Sequence, residues 1–167
     1  MSSLDIQKIH NDFPQLDGLD YHYLDSAATS LTPRMVLDSE IEYYTHNRAN
    51  VHRGLFSEAV RATDGYEDTR KKVAQYIGAD SPNEVIFTSG ATESSNMIAR
   101  MLEEYFKFEE EEKDIVTTEM EHHGSLIPLQ QLAERESFFL KHIPLDGVGL
   151  DYRAADQLIT DNAVVVS

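Results

Sequence analysis

The second half of the chain alternates short β-prone runs with helical patterns, and this alternation restricts the fold more than any other feature. The β-prone runs occupy residues 84–88, 114–118, 137–144 and 163–167. Helical patterns separate them over residues 97–106, 125–136 and 152–159. The second helix is expected to be interrupted early by Pro128, Asp146-Gly147 to form the turn after the third run, and Asp151 to cap the last helix. Strands that alternate with helices in this way are typical of an α/β domain with a largely parallel sheet. We therefore predict an α/β fold with helices on both faces of the sheet.

The final β-prone run, residues 163–167, reaches the last residue of the sequence. A run of alanine and valines such as this one needs a strand on each side and helices over both faces. A native domain rarely stops at that point without a following turn or helix. We therefore expect an interrupted chain and a truncated sheet.

The first half of the chain is predicted to be helical. Leu4 to Phe13 form a weak helical pattern, and residues 1–20 are expected to be an N-terminal helical extension to a domain over 21–167. Thr32 followed by Pro33 predicts an N-cap and a first helical residue, with the helix running to about Asn47. Residues 48–56 are predicted to be a loop. A longer helix is expected from Ser57, with Gly78 as its stop.

Composition excludes several classes of function. The chain has 30 acidic and 14 basic residues, a net charge of −16, which disfavours nucleic-acid binding. It has no apolar stretch near the ~20 residues of a membrane span and no visible signal peptide, so we predict a cytoplasmic protein. With no cysteine it has no disulfide, thiolate zinc site or cysteine nucleophile, and no metal site is predicted. The run Glu109–Glu112 is predicted to be a solvated helix end.

A strand–turn–helix segment around Ser89-Gly90-Ala91-Thr92 is the first candidate site. A glycine turn at a helix N-terminus presents free backbone N–H groups and the positive end of the helix dipole to an anion. Hydroxyl groups lie beside it on Ser89, Thr92, Ser94 and Ser95. The same residues also fit an ordinary helix cap, and neither a P-loop nor a GxGxxG sequence is present.

Further candidates are a histidine pair, an arginine loop and a run of small residues. His122 and His123 follow the second strand of the α/β region, at the end of a parallel sheet where ligands bind. Adjacent histidines can stack on a ring or exchange protons, but they can equally be solvated loop residues. Arg53 could bind a carboxylate, and the small residues at Ala27 and Ala28 would allow close approach of a ligand. Each of these also has a purely structural interpretation.

Together these segments resemble the amino-terminal part of the class V aminotransferase superfamily, whose members depend on pyridoxal phosphate. The chain is most similar there to cysteine desulfurases of the Suf type, also described as selenocysteine lyases. The matching segments are YLDSAATSLTP (23–33), NVHRG (50–54), VIFTSGATESSNMIA (85–99), DIVTTEMEHHGSLIPLQ (114–130) and IPLDGVGLD (143–151). Similar proteins have asparagine and tryptophan where this chain has Ser125 and Leu129, which leaves the substrate open.

The resemblance implies the large-domain sheet of fold type I and a role for several residues. Ala91 and Thr92 would bind the phosphate of pyridoxal 5′-phosphate, and His122 would stack on its ring. The substrate would be faced by Ala28, His52 and Arg53. No catalytic residue is assigned within the chain, because the Schiff-base lysine and the nucleophilic cysteine of such enzymes would lie beyond Ser167. We therefore expect the chain as given to be inactive.

The implied activity of the complete protein is removal of sulfur from L-cysteine, leaving alanine and an enzyme-bound persulfide. The persulfide would go to an acceptor protein for iron–sulfur cluster assembly, and the complete enzyme would be a homodimer. Another class V reaction remains open, such as that of an aminotransferase, a kynureninase-like hydrolase or an epimerase. A different class also remains open: a short relative that binds or regulates without catalysis.

Overall fold

A computed structural model describes residues 4–107 and 113–167 of the chain. Contacts between residues divide it into two compact units, Met1–Val85 and Ile86–Ser167. The acidic run Glu109–Glu112, predicted to be a solvated helix end, lies outside the described residues.

The first unit is helical. Its α-helices are α1 (Ile6–Asn11), α2 (Arg34–Glu42) and α3 (Ser57–Ile77). A π-helical turn, Tyr43–Asn47, continues α2, and single 3₁₀ turns occupy Pro14–Leu16 and Pro82–Glu84. The helices expected over 4–13, 33–47 and from 57 are therefore present, the first of them shorter than expected.

The ends of α2 and α3 test the predicted capping residues. Thr32 was expected to cap α2, but Pro33 occupies that position with extended backbone (ψ 147°), so the prediction is wrong by one residue. The amide of Arg34, the first helical residue, has no acceptor within α2 and donates instead to the Asp12 carbonyl at 2.7 Å, at the end of α1. Gly78 ends α3 in the left-handed conformation (φ 74°), as predicted.

The strand predicted over residues 84–88 is wrong. No strand of the described residues pairs with this segment, and a β-strand requires a hydrogen-bonded neighbour. The backbone of Val85 is bonded elsewhere, because its N–H donates to the Pro82 carbonyl and its carbonyl accepts from the Arg70 guanidinium. A β-prone run therefore has extended backbone at Val85 without becoming part of a sheet.

The second unit has the predicted alternation of helices and strands. Its helices are α4 (Ala91–Phe106), α5 (His123–Glu136) and α6 (Tyr152–Leu158). Its strands are β1 (Asp114–Thr118), β2 (Phe139–Ile143), β3 (Leu145–Asp146), β4 (Gly149–Leu150) and β5 (Ala163–Val166). β1 lies between β2 and β5, and both pairings are parallel. β3 and β4 form a separate antiparallel hairpin across Gly147.

The core of the second unit lies where α4 and α5 pack against β1. Ile115 is aligned with Leu140 on β2 and with Val165 on β5, so these three side chains form a row across the sheet. Leu140 and Val165 pack against a buried cluster that Ile115 forms with side chains of the two helices: Ala99, Ile115, Leu129, Leu132 and Ala133. Ile115 and Val116 point to opposite faces of β1 and both are fully buried. β1 is therefore covered on both sides, as a central parallel strand requires.

Local details of the second unit follow from capping. Asp151 caps α6, because its carboxylate accepts from the Arg153 and Ala154 amides. β2 begins at Phe139 rather than Ser137, because Ser137 ends α5 in the left-handed conformation (φ 57°). Pro128 was expected to interrupt α5, but the helix continues through it, and Pro128 is buried in the core-facing side. The prediction is wrong because packing outweighs the one hydrogen bond that proline removes.

Candidate functional site

The N-termini of α4 and α5 open onto one cavity of about 320 Å³. Its lining residues come from the turn before α4 and from the connection between β1 and α5: Ser89, Gly90, Ala91, Thr92, Glu93, His122, Gly124 and Ser125. The cavity thus brings together Ala91, Thr92 and His122, the three residues predicted to bind a cofactor. It lies at the low end of the volumes usual for small-molecule sites.

The first turn of α4 supplies backbone N–H donors. Gly90 caps the helix without a side-chain hydrogen bond, and the Ser94 amide is the first to bond within the helix, to the Gly90 carbonyl at 3.1 Å. The amides of Ala91, Thr92 and Glu93 precede that bond, so they have no helical acceptor. A 16-residue helix also directs the positive end of its dipole at this point. The turn can therefore hold an anion.

His122 caps α5 and thereby fixes its own ring. The Gly124 amide donates to His122 Nδ1 at 2.9 Å, and the Ser125 and Leu126 amides donate to the His122 carbonyl. A neutral imidazole whose Nδ1 accepts a hydrogen bond carries its proton on Nε2. His122 therefore offers an Nε2–H donor and an exposed ring face from a position fixed by the backbone.

The two helix N-termini are in direct contact. A Cβ placed on Gly124 would lie 2.8 Å from Thr92 Oγ1, closer than carbon and oxygen normally approach. The Thr92 hydroxyl of α4 and the first turn of α5 therefore lie in van der Waals contact. The Gly124, Ser125 and Leu126 amides are already bonded to His122, so α5 acts on an anion in the cavity through its dipole, while the first turn of α4 supplies the free N–H donors.

Glu93 places a carboxylate in the same cavity. Its Oε2 accepts from the Ser89 amide at 2.6 Å. Hydrogen bonds from the Ser89 hydroxyl and amide lower the pKa of Glu93 below its ordinary value. The Glu93 carboxylate thus accepts from the residue before the cap, one position further out than in a capping box, where the N–H of the cap itself is the donor.

Glu93→Gln is expected to remove a contribution to stability that depends on pH. Because the folded pKa of Glu93 lies below its unfolded value of about 4.5, this contribution is complete above that value and is lost as the pH falls through the folded pKa. The difference in unfolding midpoint between wild type and variant, measured by circular dichroism, should shrink as the pH falls below about 4.5. A difference that stays constant down to acid pH would contradict this assignment.

Four hydroxyl residues were considered for the anion site, and the structure separates them. Ser89 and Thr92 line the cavity. Ser94 instead makes a 2.8 Å hydrogen bond with Thr88, and Ser95 is not among the lining residues. Ser125 also lines the cavity, whereas Leu129 is buried in the core.

The three predicted substrate-facing residues lie in the first unit. Ala28 is exposed in a turn closed by its own amide on the Asp25 carbonyl at 3.1 Å. His52 has a positive φ of 68° and forms a 3.3 Å contact from Nε2 to Glu67. Arg53 is exposed beside it. Their role toward a substrate stays a prediction.

Sequence reasoning did not single out two cavity residues, Glu93 and Gly124. A signal for Glu93 was available, because a glutamate at the third helical position commonly bonds back to the residue before the helix. Gly124 carries no such signal, because only the packing of α5 on α4 shows that its missing side chain matters. Within the described residues, no group of three or more histidine and acidic side chains could hold a metal ion.

Comparisons with known proteins give a consistent result. The family described as Aminotransferase class-V matches residues 22–167. A probable cysteine desulfurase of Streptomyces coelicolor is 46% identical over 98% of the chain, and one of Staphylococcus aureus is 43% identical over 99%. The apo structure of a cysteine desulfurase from Thermococcus onnurineus covers 99% of the chain with a TM-score of 0.83 and 38% identity.

The match covers only part of each relative. The chain spans 41% of the length of the two bacterial proteins and 40% of the archaeal structure. The structural likeness confirms the predicted α/β class with a parallel sheet. Over residues 4–107 and 113–167, no helix is both long and apolar enough to cross a membrane.

Proposed function

Because the chain belongs to the class V aminotransferase family, we propose that the cavity between the N-termini of α4 and α5 binds the phosphate and ring of pyridoxal 5′-phosphate. The observation that supports this most directly is the convergence of two helix N-termini and a fixed imidazole on one cavity. Families of this kind depend on that cofactor, and the donor set of the cavity suits a phosphate monoester.

The residues present fit such a group. The amides at the start of α4 and the Thr92 hydroxyl would hold the phosphate, and His122 would lie against the ring. None of the described lining residues is a lysine or an arginine, so the phosphate would rest on backbone donors and helix dipoles. When bound, the cofactor supplies an electron sink for carbanion chemistry. The chain's own contribution would be to bind and orient it.

For the complete protein we propose cysteine desulfurase activity: L-cysteine converted to alanine, with the sulfur passed to an acceptor protein for iron–sulfur cluster assembly. The proteins named probable cysteine desulfurase at 43–46% identity support this. The printed sequence contains no cysteine, so the chain as given is expected not to catalyse the reaction. Assembly as a homodimer, a cytoplasmic location and the division of the chain at residue 20 stay predictions.

The proposal is tested with pyridoxine 5′-phosphate and pyridoxine as ligands. Neither has an aldehyde, so neither can react with surface lysines as pyridoxal phosphate does. We expect the phosphorylated compound to bind the purified chain at least ~10-fold more tightly by isothermal titration calorimetry, equivalent to about 1.4 kcal/mol. The preference follows from the amides and the helix ends, which the unphosphorylated compound cannot use.

Two variants locate the binding within the cavity. Thr92→Val and His122→Ala are each expected to weaken binding of pyridoxine 5′-phosphate by about 10-fold, the loss of roughly one charge-assisted hydrogen bond or ring contact. The matched controls are Ser95→Ala and His123→Ala, which change neighbouring residues that do not line the cavity. Equal affinity for the two ligands, or equal loss in controls and variants, would contradict the proposal.

A further inference from the structure

The turn at residues 51–54 is attached to one face of α3 by three separate contacts. A Cβ on Gly54 would overlap the Cβ of Ala59, which is fully buried, so the backbone lies directly on the helix. The His52 amide donates to Thr63 Oγ1 at 2.9 Å. His52 Nε2 lies 3.3 Å from Glu67 Oε1. Ala59, Thr63 and Glu67 are spaced by four residues, so they form a single stripe along α3.

The conformation of His52 explains why several contacts are needed. Its φ of 68° is in the left-handed region, which costs a non-glycine residue about 1 kcal/mol or more. Such a conformation persists only where the surroundings impose it. The ring also meets the Tyr66 ring edge-on, with centroids 5.7 Å apart. A hydrogen bond of the amide, a polar contact of Nε2 and an edge-on contact of the ring therefore hold His52 in its strained conformation.

Glu67 is itself held in place on its other side. Its Oε2 accepts from Arg70 Nε at 3.2 Å, while Oε1 faces His52. The Arg70 side chain is mostly buried, lies over the Tyr66 ring at 5.0 Å and donates to the Val85 carbonyl. An isolated exposed ion pair contributes little, but a carboxylate already oriented by a buried arginine loses less freedom when it binds a second partner.

We propose that Glu67 is a positioning residue: together with Thr63 it holds the strained His52 turn on α3 and thereby presents Arg53. Arg53 is the exposed cation of this turn, and among the described residues it has no hydrogen bond or ion pair. The functional meaning rests on the proposed function, because the turn is expected to face a substrate only within that family. The attachment itself follows from the distances alone.

The test is hydrogen exchange of the His52 amide, followed by NMR on the purified chain. Glu67→Ala leaves both groups of the hydrogen bond between the His52 amide and Thr63 in place. If Glu67 affects only the His52 ring, exchange of this amide should therefore stay at the wild-type rate. If Glu67 positions the turn, exchange of the His52 amide should become at least ~10-fold faster, as it should in Thr63→Val.

Glu58→Ala and Arg53→Ala are the matched controls. Glu58 lies on the same helix and pairs with Arg61, but it does not contact the turn, whereas Arg53 belongs to the turn without holding it. Both should leave the His52 amide within about 2-fold of wild type. Unchanged protection of the Ala74 amide will show that α3 remains folded, and Glu67→Gln replaces the alanine variant if it does not.

Exchange of the His52 amide in Glu67→Ala within 2-fold of wild type would overturn the proposal. The result is independent of cofactor binding, because no ligand is present in the exchange measurement. Failure of pyridoxine 5′-phosphate to bind would therefore count against the proposed function alone, and an unchanged His52 turn would count against Glu67 alone.

Discussion

Leu132→Ala is expected to destabilise the second unit by about 3 kcal/mol or more, the largest effect of any single substitution considered. Leu132 lies on α5 with no exposed surface and belongs to the cluster that packs on β1. Removing its side chain loses the transfer free energy of the buried methyl groups and leaves a cavity that neighbouring helices can fill only in part.

The measurement is native-state hydrogen exchange of the Ile115 and Val116 amides, which reports the opening of the sheet in the second unit. Ile127→Ala is the control on the same helix, because Ile127 is 41% exposed, and it should cost less than about 1 kcal/mol. A loss in Leu132→Ala no larger than that of the control would mean that α5 is not packed as described.

Lys141→Ala is expected to destabilise the second unit by about 2 kcal/mol. Lys141 on β2 pairs with Asp114 on β1 at 2.5 Å, and the carboxylate side chain is only 5% exposed. Removing the ammonium leaves a buried charge without its partner, which costs more than the attraction of the pair contributes. This expected loss of stability is smaller than that for breaking a fully buried ion pair, because Lys141 itself is 36% exposed.

Lys107→Ala provides the comparison for this prediction. Lys107 pairs with Glu104 at 3.4 Å, but both side chains are more than half exposed, so its loss should change stability by less than about 0.5 kcal/mol. The exchange of the β1 amides measures both variants. Equal effects of the two substitutions would show that the Asp114 carboxylate is solvated after Lys141 is removed.

Local signals in the sequence predicted much of the second unit. The alternation of strands and helices, the cap at Asp151 and the turn at Gly147 all depend on residues close together in sequence. The strand predicted at 84–88 failed for the opposite reason, because a strand exists only when another segment supplies its hydrogen bonds. Here the Val85 carbonyl is bonded by Arg70, fifteen residues earlier, and no propensity describes that contact.

One part of the candidate site could likewise be predicted from local signals in the sequence, and another part could not. The free amide donors of the turn at Ala91 and Thr92 could be predicted, because a glycine turn before a helix leaves its first N–H groups without acceptors. The contact of Gly124 with Thr92 and the return of Glu93 to Ser89 required the packed structure. The left-handed conformation of His52 and its attachment to Thr63 were likewise invisible in the residues themselves.

The amide donors at the start of α4 affect which substitutions the cavity can tolerate. Ala91 contributes its N–H to the cavity, and every amino acid except proline carries that group. Side chains at this position can therefore drift freely so long as they fit and the helix still begins after Gly90. The cavity lining at this position is therefore defined by backbone geometry rather than by residue type.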